Sequence, residues 1–348
     1  MNLNFWKNKN ILITGHTGFK GAWLSILLNY LGANVYGVSD VKKEGIYKVV
    51  EKSNILKKEF FIDINSLDES SANKLFKETD PDIVFHFAAQ SLVYEGYIDP
   101  LNTLSTNIIG TFNVMKYTDE LSNALSLTIA TTDKVYLNPS IQNVESDPLG
   151  GKDFYSASKA SSEFAIQAFL NNKSRDNLNI TVIRSGNVIG GGDRAKFRLL
   201  TDLINSINTN TNFELRKPDS IRPWQFILDS LWGYLMATEE NYNKKISNIY
   251  NLNSKINNKY TAKSLIETYL KFWDGDQPEV VVTDEKFKEV NVLTIDSTKA
   301  KNELGWEPIY EFEDSIREIV EWEKDFLTNK TLEICTKQIK KYVDLRTE

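Results

Sequence analysis

At 348 residues the chain is long enough for one large α/β unit or for a nucleotide-binding domain with a smaller companion. Its 41% hydrophobic and 25% charged content is ordinary for a folded enzyme, and a net charge of −6 argues against bulk attraction to nucleic acid while leaving room for a local basic pocket that takes a diphosphate. The single cysteine, Cys335, excludes an intramolecular disulfide and a cysteine-held zinc, and the chain reads as cytoplasmic.

The opening MNLNFWKNKN runs straight into the apolar ILITG, which predicts no leader segment, and no apolar run approaches the ~18 residues of a membrane span. Short β-branched runs at 10–14, 34–38, 60–64, 83–87, 127–131 and 180–184 alternate with helical stretches. Such alternation predicts successive βαβ units, hence a Rossmann-type doubly wound parallel sheet with helices on both faces. The pattern breaks after Arg184 into Gly190-Gly191-Gly192 and a helix from about 197 to 207, and the chain is expected to return once to the sheet near 249–252. Residues 1–185 with about 225–255 are therefore assigned to the nucleotide-binding domain. About 186–224 and 256–348, including PEVVVTDE, are assigned to a smaller C-terminal α+β substrate-binding lobe. There is no internal repeat or low-complexity linker.

The first strand leads into Gly15-His16-Thr17-Gly18-Phe19-Lys20-Gly21 and then an amphipathic helix, the order a dinucleotide fold requires. Gly15 permits the tight turn, Gly18 lets backbone approach a pyrophosphate and Gly21 packs helix on strand, with Thr17 and Phe19 completing the loop. A carboxylate ~20 residues on usually holds the adenosine ribose. Ser39 occupies that place and Asp40 follows, although Lys42 and Lys43 could greet a 2′-phosphate, so NAD is favoured over NADP. Asp63-Ile64 at the end of the third strand either meets the adenine edge or simply caps the strand. Ala88-Ala89-Gln90 follow the fourth strand at the carboxyl edge, where ligands of open sheets bind, and Asn107 in the next helix is expected to satisfy backbone beside the cofactor site. The two histidines, His16 and His86, read as structural, because no second ligand sits at metal-binding spacing, and no metal is expected.

Thr132-Asp133-Lys134 follows the fifth strand, and Tyr155-x-x-x-Lys159 places phenol and ammonium on one face of a helix. A neighbouring ammonium favours the phenolate and would pull the tyrosine below its usual pKa of ~10, giving a base for an alcohol proton.

The chain resembles the extended short-chain dehydrogenase/reductases and, within them, the CDP-glucose 4,6-dehydratases. The matching segments are LITGHTGFKGAWLS, FHFAAQSLV, TNIIGTFNV, TTDKVY, DPLGG with YSASKA, IRSGNVIGGGD, IRPWQ and DSTKAKNELGWEP. The resemblance implies an NAD-dependent reaction in three steps. Tyr155 takes the proton of the sugar 4-hydroxyl as hydride leaves C4, with Lys159 on the nicotinamide ribose and Thr132 on the C4 oxygen. Water then leaves between C5 and C6 with Asp133 as the acid, and the hydride returns at C6. Lys134 would hold Asp133 ionised; alternatively Lys134, desolvated and neutral, is the C5 base. For the nucleotide sugar, Arg222 is the best diphosphate clamp, with Gln225 beside it, Asn187 and Arg194 on the loop between the lobes, and Gln90 at the sheet edge. Trp224 reads equally as core or as nucleotide contact.

Two departures stand out. The subgroup commonly continues TDK-x-Tyr-Glu-Asn where this chain has Tyr136-Leu137-Asn138, and it carries arginines where this chain reads Ser91-Leu92-Val93-Tyr94-Glu95-Gly96. The expectation is a dehydratase acting on CDP-glucose in deoxysugar and surface-glycan (O-antigen) synthesis. The alternatives are a dehydratase or 4-epimerase for another nucleotide sugar, or a catalytically silent nucleotide-binding sensor. A homodimer is expected through the helices carrying Leu104, Ile108, Phe112 and Met115, and Ala157, Ala160 and Phe164.

Overall fold

The computed structural model describes residues 1–138, 142–255, 260–283, 292–328 and 331–347. Seven strands form one sheet: β1 (Asn10–Thr14), β2 (Asn34–Ser39), β3 (Leu56–Phe61), β4 (Ile83–His86), β5 (Ser126–Ala130), β6 (Asn179–Ser185) and β7 (Asn248–Leu252). Their order is β7-β6-β5-β4-β1-β2-β3, and every neighbouring pair is parallel. The winding direction reverses between β1 and β4, which opens a crevice at the carboxyl ends of those strands.

Burial explains why these runs are strands. Ile11, Leu12 and Ile13 are all inaccessible to solvent, yet Ile11 and Ile13 pack into one core and Leu12 into the other, since alternate side chains leave opposite faces of the sheet. The edge strand β3 differs: it carries exposed Lys57 and Lys58, and it lies about four residues ahead of the run expected from Phe60-Phe61-Ile62. Charge on an edge strand guards its unpaired side, and here it masks the strand from a reading based on apolar runs. The residues after it turn away instead, with Asp63 capping the short 3₁₀ turn Ile64–Ser66.

The helix Phe19–Tyr30 is buried along most of its length because the sheet covers one side and the C-terminal helix Leu332–Thr347 packs against another. The helix Leu332–Thr347 thus brings the chain back to the helix that follows β1. Trp322, in the helix Phe312–Thr328, meets Trp23 at 6.5 Å between ring centroids, while Trp23 Nε1 donates to Gly191 O at 2.9 Å. Beyond β6 the chain forms two small parallel strand pairs, Val188–Ile189 with Gln225–Phe226 and Phe213–Leu215 with Val280–Val282. Of PEVVVTDE, residues 284 and 285 lie outside the described residues. The helix expected from about 197 begins at Leu199 and runs to Thr209.

Candidate active site

A cavity of about 630 Å³ runs along the carboxyl edge of the sheet from the glycine loop to the segment after β6. Gly15 sits at φ +76°, and a Cβ there would lie 2.5 Å from Ala88 N; one on Gly21 would strike Gly15 O. Gly18 differs, since a Cβ there meets nothing nearer than Gly15 O at 3.3 Å. Gly18 also heads the helix Phe19–Tyr30 without a side-chain cap, leaving first-turn N–H groups for an anion. The loop therefore fits a dinucleotide diphosphate.

At the adenosine end the residues divide differently from the expectation. Ser39 Oγ accepts the Thr17 N–H at 3.2 Å and lies 3.0 Å from His16 Nδ1, whose Nε2 is 3.1 Å from Glu59. Ser39 thus shapes the loop while also lining the cavity, and the exposed, cavity-lining Asp40 beside it is a carboxylate available to a ribose. Of the two lysines that could meet a 2′-phosphate, Lys42 pairs with Glu51 at 2.7 Å and does not line the cavity, whereas Lys43 does. Asp63 caps Asn65 N at 2.9 Å and, with Ile64, also lines the cavity.

Ala88, Ala89 and Gln90 line the cavity beyond β4. Asn107 does not: it is fully buried, its Oδ1 accepts the Gln90 N–H at 3.0 Å, and its Nδ2 donates to Gln90 O and to Ser158 Oγ. It clamps the strand-end backbone from behind the cavity and makes no direct contact with the cofactor space. It sits in a π-helical turn, Ser105–Gly110, a distortion that often marks functional sites. His86 stands between Thr14 Oγ1 and Thr111 Oγ1 at 2.7 and 2.9 Å, and burial lowers its pKa to about 3.

At the other end, Thr132, Lys134, Tyr155 and Lys159 converge on the cavity. Thr132 caps the 3₁₀ turn Asp133–Val135, while Asp153 caps the helix Phe154–Leu170 and sets Tyr155 and Lys159 one turn apart. Asp133 is buried; its Oδ1 accepts Thr132 Oγ1 at 3.0 Å and Lys134 Nζ at 3.2 Å, and its Oδ2 has no partner among the described residues. Lys134 Nζ also donates to Asn187 Oδ1 at 3.3 Å.

The expected depression of Tyr155 is reversed here. Burial raises its pKa to about 12, partly offset by the hydrogen bond with Thr132. Lys159 directs its ammonium to Ala130 O at 2.9 Å, and desolvation lowers its pKa to about 8 against the pull of Glu163. Glu163 is itself held by Arg184 and accepts from Thr131 Oγ1 at 2.7 Å. Tyr136 is committed to the same network, with its hydroxyl on Asn251 and Arg184 at 2.7 and 2.9 Å, and burial pushes its pKa up to about 12. It is no base. Leu137 is 58% exposed, and neither it nor Glu95 lines the cavity.

On the substrate side, Asn187 and Arg222 line the cavity, and so does Trp224. Arg194 does not. Its guanidinium is bidentate on Glu323 at 2.9 and 2.5 Å and stacks 5.6 Å from the Phe326 ring centroid, tying the loop to the helix Phe312–Thr328. Gln225 also lies off the cavity, buried, with both side-chain polar atoms unpartnered among the described residues. Arg198 also faces the cavity, beside Arg222, and is held by Asp193 at 2.6 Å and Ser91 Oγ at 3.1 Å. Lys20 was the second omission: it reaches Ser185 Oγ at 2.8 Å from the glycine loop. A lysine in the first helical turn opposes the helix dipole, a local conflict that could have flagged it. Nothing comparable separates Arg198 from Arg194 in the sequence.

The family model for GDP-mannose 4,6 dehydratase matches residues 12–319. The chain is 33% identical to the CDP-glucose 4,6-dehydratase of Salmonella typhimurium, over 99% of both proteins. It is 25% identical to the dTDP-glucose 4,6-dehydratase of Haemophilus influenzae, over 90% of this chain and 97% of that protein. Among solved structures, the UDP-glucose-4-epimerase of Stenotrophomonas maltophila with bound NAD and formylated UDP-arabinopyranose superposes with a TM-score of 0.79 at 19% identity, covering 92% of this chain and 99% of that one. That likeness is one of fold. With the family model spanning most of the sequence and a full-length relative one-third identical, the chain belongs to the GDP-mannose 4,6 dehydratase family.

Proposed function

We propose that this protein is an NAD-dependent nucleotide-sugar 4,6-dehydratase that converts CDP-glucose to CDP-4-keto-6-deoxyglucose. The observation that carries the reading is the convergence of Thr132 and Lys134, from the turn that also holds the buried Asp133 behind the cavity wall, with Tyr155 and Lys159 on one cavity that begins at an anion-ready glycine loop, in a chain related along its whole length to a CDP-glucose 4,6-dehydratase.

Bound NAD supplies the acceptor for the C4 hydride and later its donor to C6. The chain's own residues handle protons and position. Tyr155 takes the proton from the sugar 4-hydroxyl, with Thr132 holding that oxygen and Lys159 the cofactor ribose. The 4-ketone acidifies C5. Moving one proton along the 3.2 Å bond from Lys134 to Asp133 creates both partners of the elimination: a neutral amine that takes the C5 proton and a carboxylic acid that protonates the departing 6-hydroxyl as water. Leu137 offers no carboxylate and Tyr136 is committed, so Lys134 is the base at this turn. Asp40, Asp63, Ile64 and the Ala88–Gln90 edge would hold the adenosine half, while Arg222, Arg198 and Asn187 would hold the substrate diphosphate and sugar. The sheet half and the segments 186–224 and 256 onward serve as cofactor and substrate parts, respectively.

A homodimer fits the surface. Leu101, Ile109, Phe112 and Phe164 are all at least 42% exposed on neighbouring helices, whereas Met115 and Ala160, expected at that face, pack inward. A single buried Cys335 suits a reducing cytoplasm, and the product would serve deoxysugar and surface-glycan synthesis. The test is incubation with CDP-, dTDP-, GDP- and UDP-hexoses. Loss of one water from CDP-glucose in preference to the others is expected; an unchanged mass for all of them, with or without epimerisation, contradicts the reading.

A further inference from the structure

The segment 91–96, where this chain lacks the arginines of the subgroup, has no part in the mechanism above, yet Ser91 and Tyr94 line the cavity. Phe197 and Arg198 line the same cavity from the loop that precedes the helix Leu199–Thr209. The two segments touch twice. The Phe197 ring stacks on that of Tyr94, in the short helix Val93–Ile98, with 3.9 Å between centroids and 29° between planes, and Arg198 Nη2 donates to Ser91 Oγ at 3.1 Å.

Phe197 makes that stack from a strained backbone. Its φ is +64°, in the left-handed region that a bulky side chain rarely adopts. Of the other non-glycine residues at positive φ among the described residues, Asn54, Asp80, Asn210 and Lys245 cap the ends of helices, where that conformation is common, and Asn8 is of the type that tolerates it best. Phe197 ends no helix. Its N–H is held by Asp202 Oδ1 at 3.1 Å and its ring by Tyr94, and strain of this kind persists only where the surroundings fix it.

Arg198 follows directly, so the turn at 197 decides where its guanidinium goes. It lies near enough to Tyr155 for the two to interact electrostatically, which places it toward the reacting end of the cavity. The bonds it makes among the described residues, to Asp193 Oδ2 and Ser91 Oγ, leave other N–H groups of the fork open to a ligand. We propose that Tyr94 and Phe197 are positioning residues for the substrate: their stack fixes the strained turn at 197 and thereby sets Arg198 against the bound nucleotide sugar. The segment 91–96 then serves the site through a ring rather than through a charge of its own. The inference rests on the nucleotide-sugar reading of the cavity.

The test measures equilibrium binding of CDP-glucose to the full-length Tyr155→Phe protein, in which the substrate persists, and KM and kcat in chains that keep Tyr155. Tyr94→Ala should weaken binding by roughly threefold to tenfold, the range an aromatic pair supports, and raise KM by a similar factor with kcat little changed. Tyr94→Phe keeps the ring and should restore native binding. Phe197→Asn tolerates the same φ without the ring; it should match Tyr94→Ala, and the two together should be no weaker than either alone. Neither should weaken binding further once Arg198→Ala is present, an outcome that a general loss of structure would not give. Native affinity in Tyr94→Ala, a loss from Tyr94→Ala that persists in the Arg198→Ala background, or an equal defect in Tyr94→Phe overturns the proposal. If the Tyr155→Phe protein binds no CDP-glucose, the substrate reading fails first and takes the proposal with it.

Discussion

The edge of the sheet around the glycine loop and the segment between β6 and β7 both line one cavity, but they are built on different terms. At the sheet edge, backbone geometry dictates residue type: Gly15 and Gly21 have no room for a Cβ, and Asn107 is fixed by the two backbone groups of Gln90 that it satisfies. In the second segment side-chain charge pairing decides: Arg194 is taken by Glu323 and lies off the cavity, while Arg198, held by Asp193, faces it together with Arg222. Backbone demands are local and survive in sequence spacing. Charge pairs join residues as far apart as Arg194 and Glu323, and only folding brings them together.

The largest effect should come where the two regions meet. Tyr155→Phe removes the proton acceptor and is expected to lower turnover ~10²–10⁴-fold with binding of nucleotide sugar and NAD retained, as measured by steady-state rates and equilibrium binding. Near-normal turnover would remove Tyr155 as the base. Arg184→Met should cost about 3–5 kcal/mol of stability, because it strands the buried Glu163 carboxylate behind Lys159; a shifted denaturant midpoint at unchanged slope is the readout.

The contrast between the two arginines is sharpened by comparing their alanine variants. Arg198→Ala should lower kcat/KM by about 10–100-fold with little loss of stability, whereas Arg194→Ala should lose about 1–3 kcal/mol of stability with a smaller kinetic defect. The reverse pattern would return Arg194 to the site. An effect confined to acid pH is expected at His86. Its folded pKa is depressed to about 3 from an ordinary 6.5, so below about 6.5 the unfolded chain takes up a proton that the folded chain refuses. Its contribution is complete above that pH and is lost progressively as pH falls toward 3, by at most about 1.4 kcal/mol per unit. His86→Gln should flatten that part of a stability-against-pH curve.

The parallel sheet, the glycine loop and the pairing of Tyr155 with Lys159 were legible because period, turn chemistry and helical spacing act over a few residues. The displacement of β3 was not, since Lys57 and Lys58 hide an edge strand from any search for apolar runs. Ser39 lines the cavity after β2, where a ribose is expected, but that His16 and Thr17 also engage its hydroxyl is visible only in the fold. Likewise, the spacing that joins Tyr155 to Lys159 cannot reveal that burial outweighs the ammonium, nor that Lys159 turns to Ala130 O.

The central claim is that hydride leaves C4 and returns to C6 of one bound sugar while water departs between C5 and C6. CDP-glucose carrying deuterium at C4, turned over in ordinary water, tests it most directly. The account predicts a 4-keto-6-deoxy product with the deuterium in its C6 methyl group and none accumulating in free cofactor. Deuterium retained at C4, as in an epimerised sugar, or found only in released NADH, would contradict it.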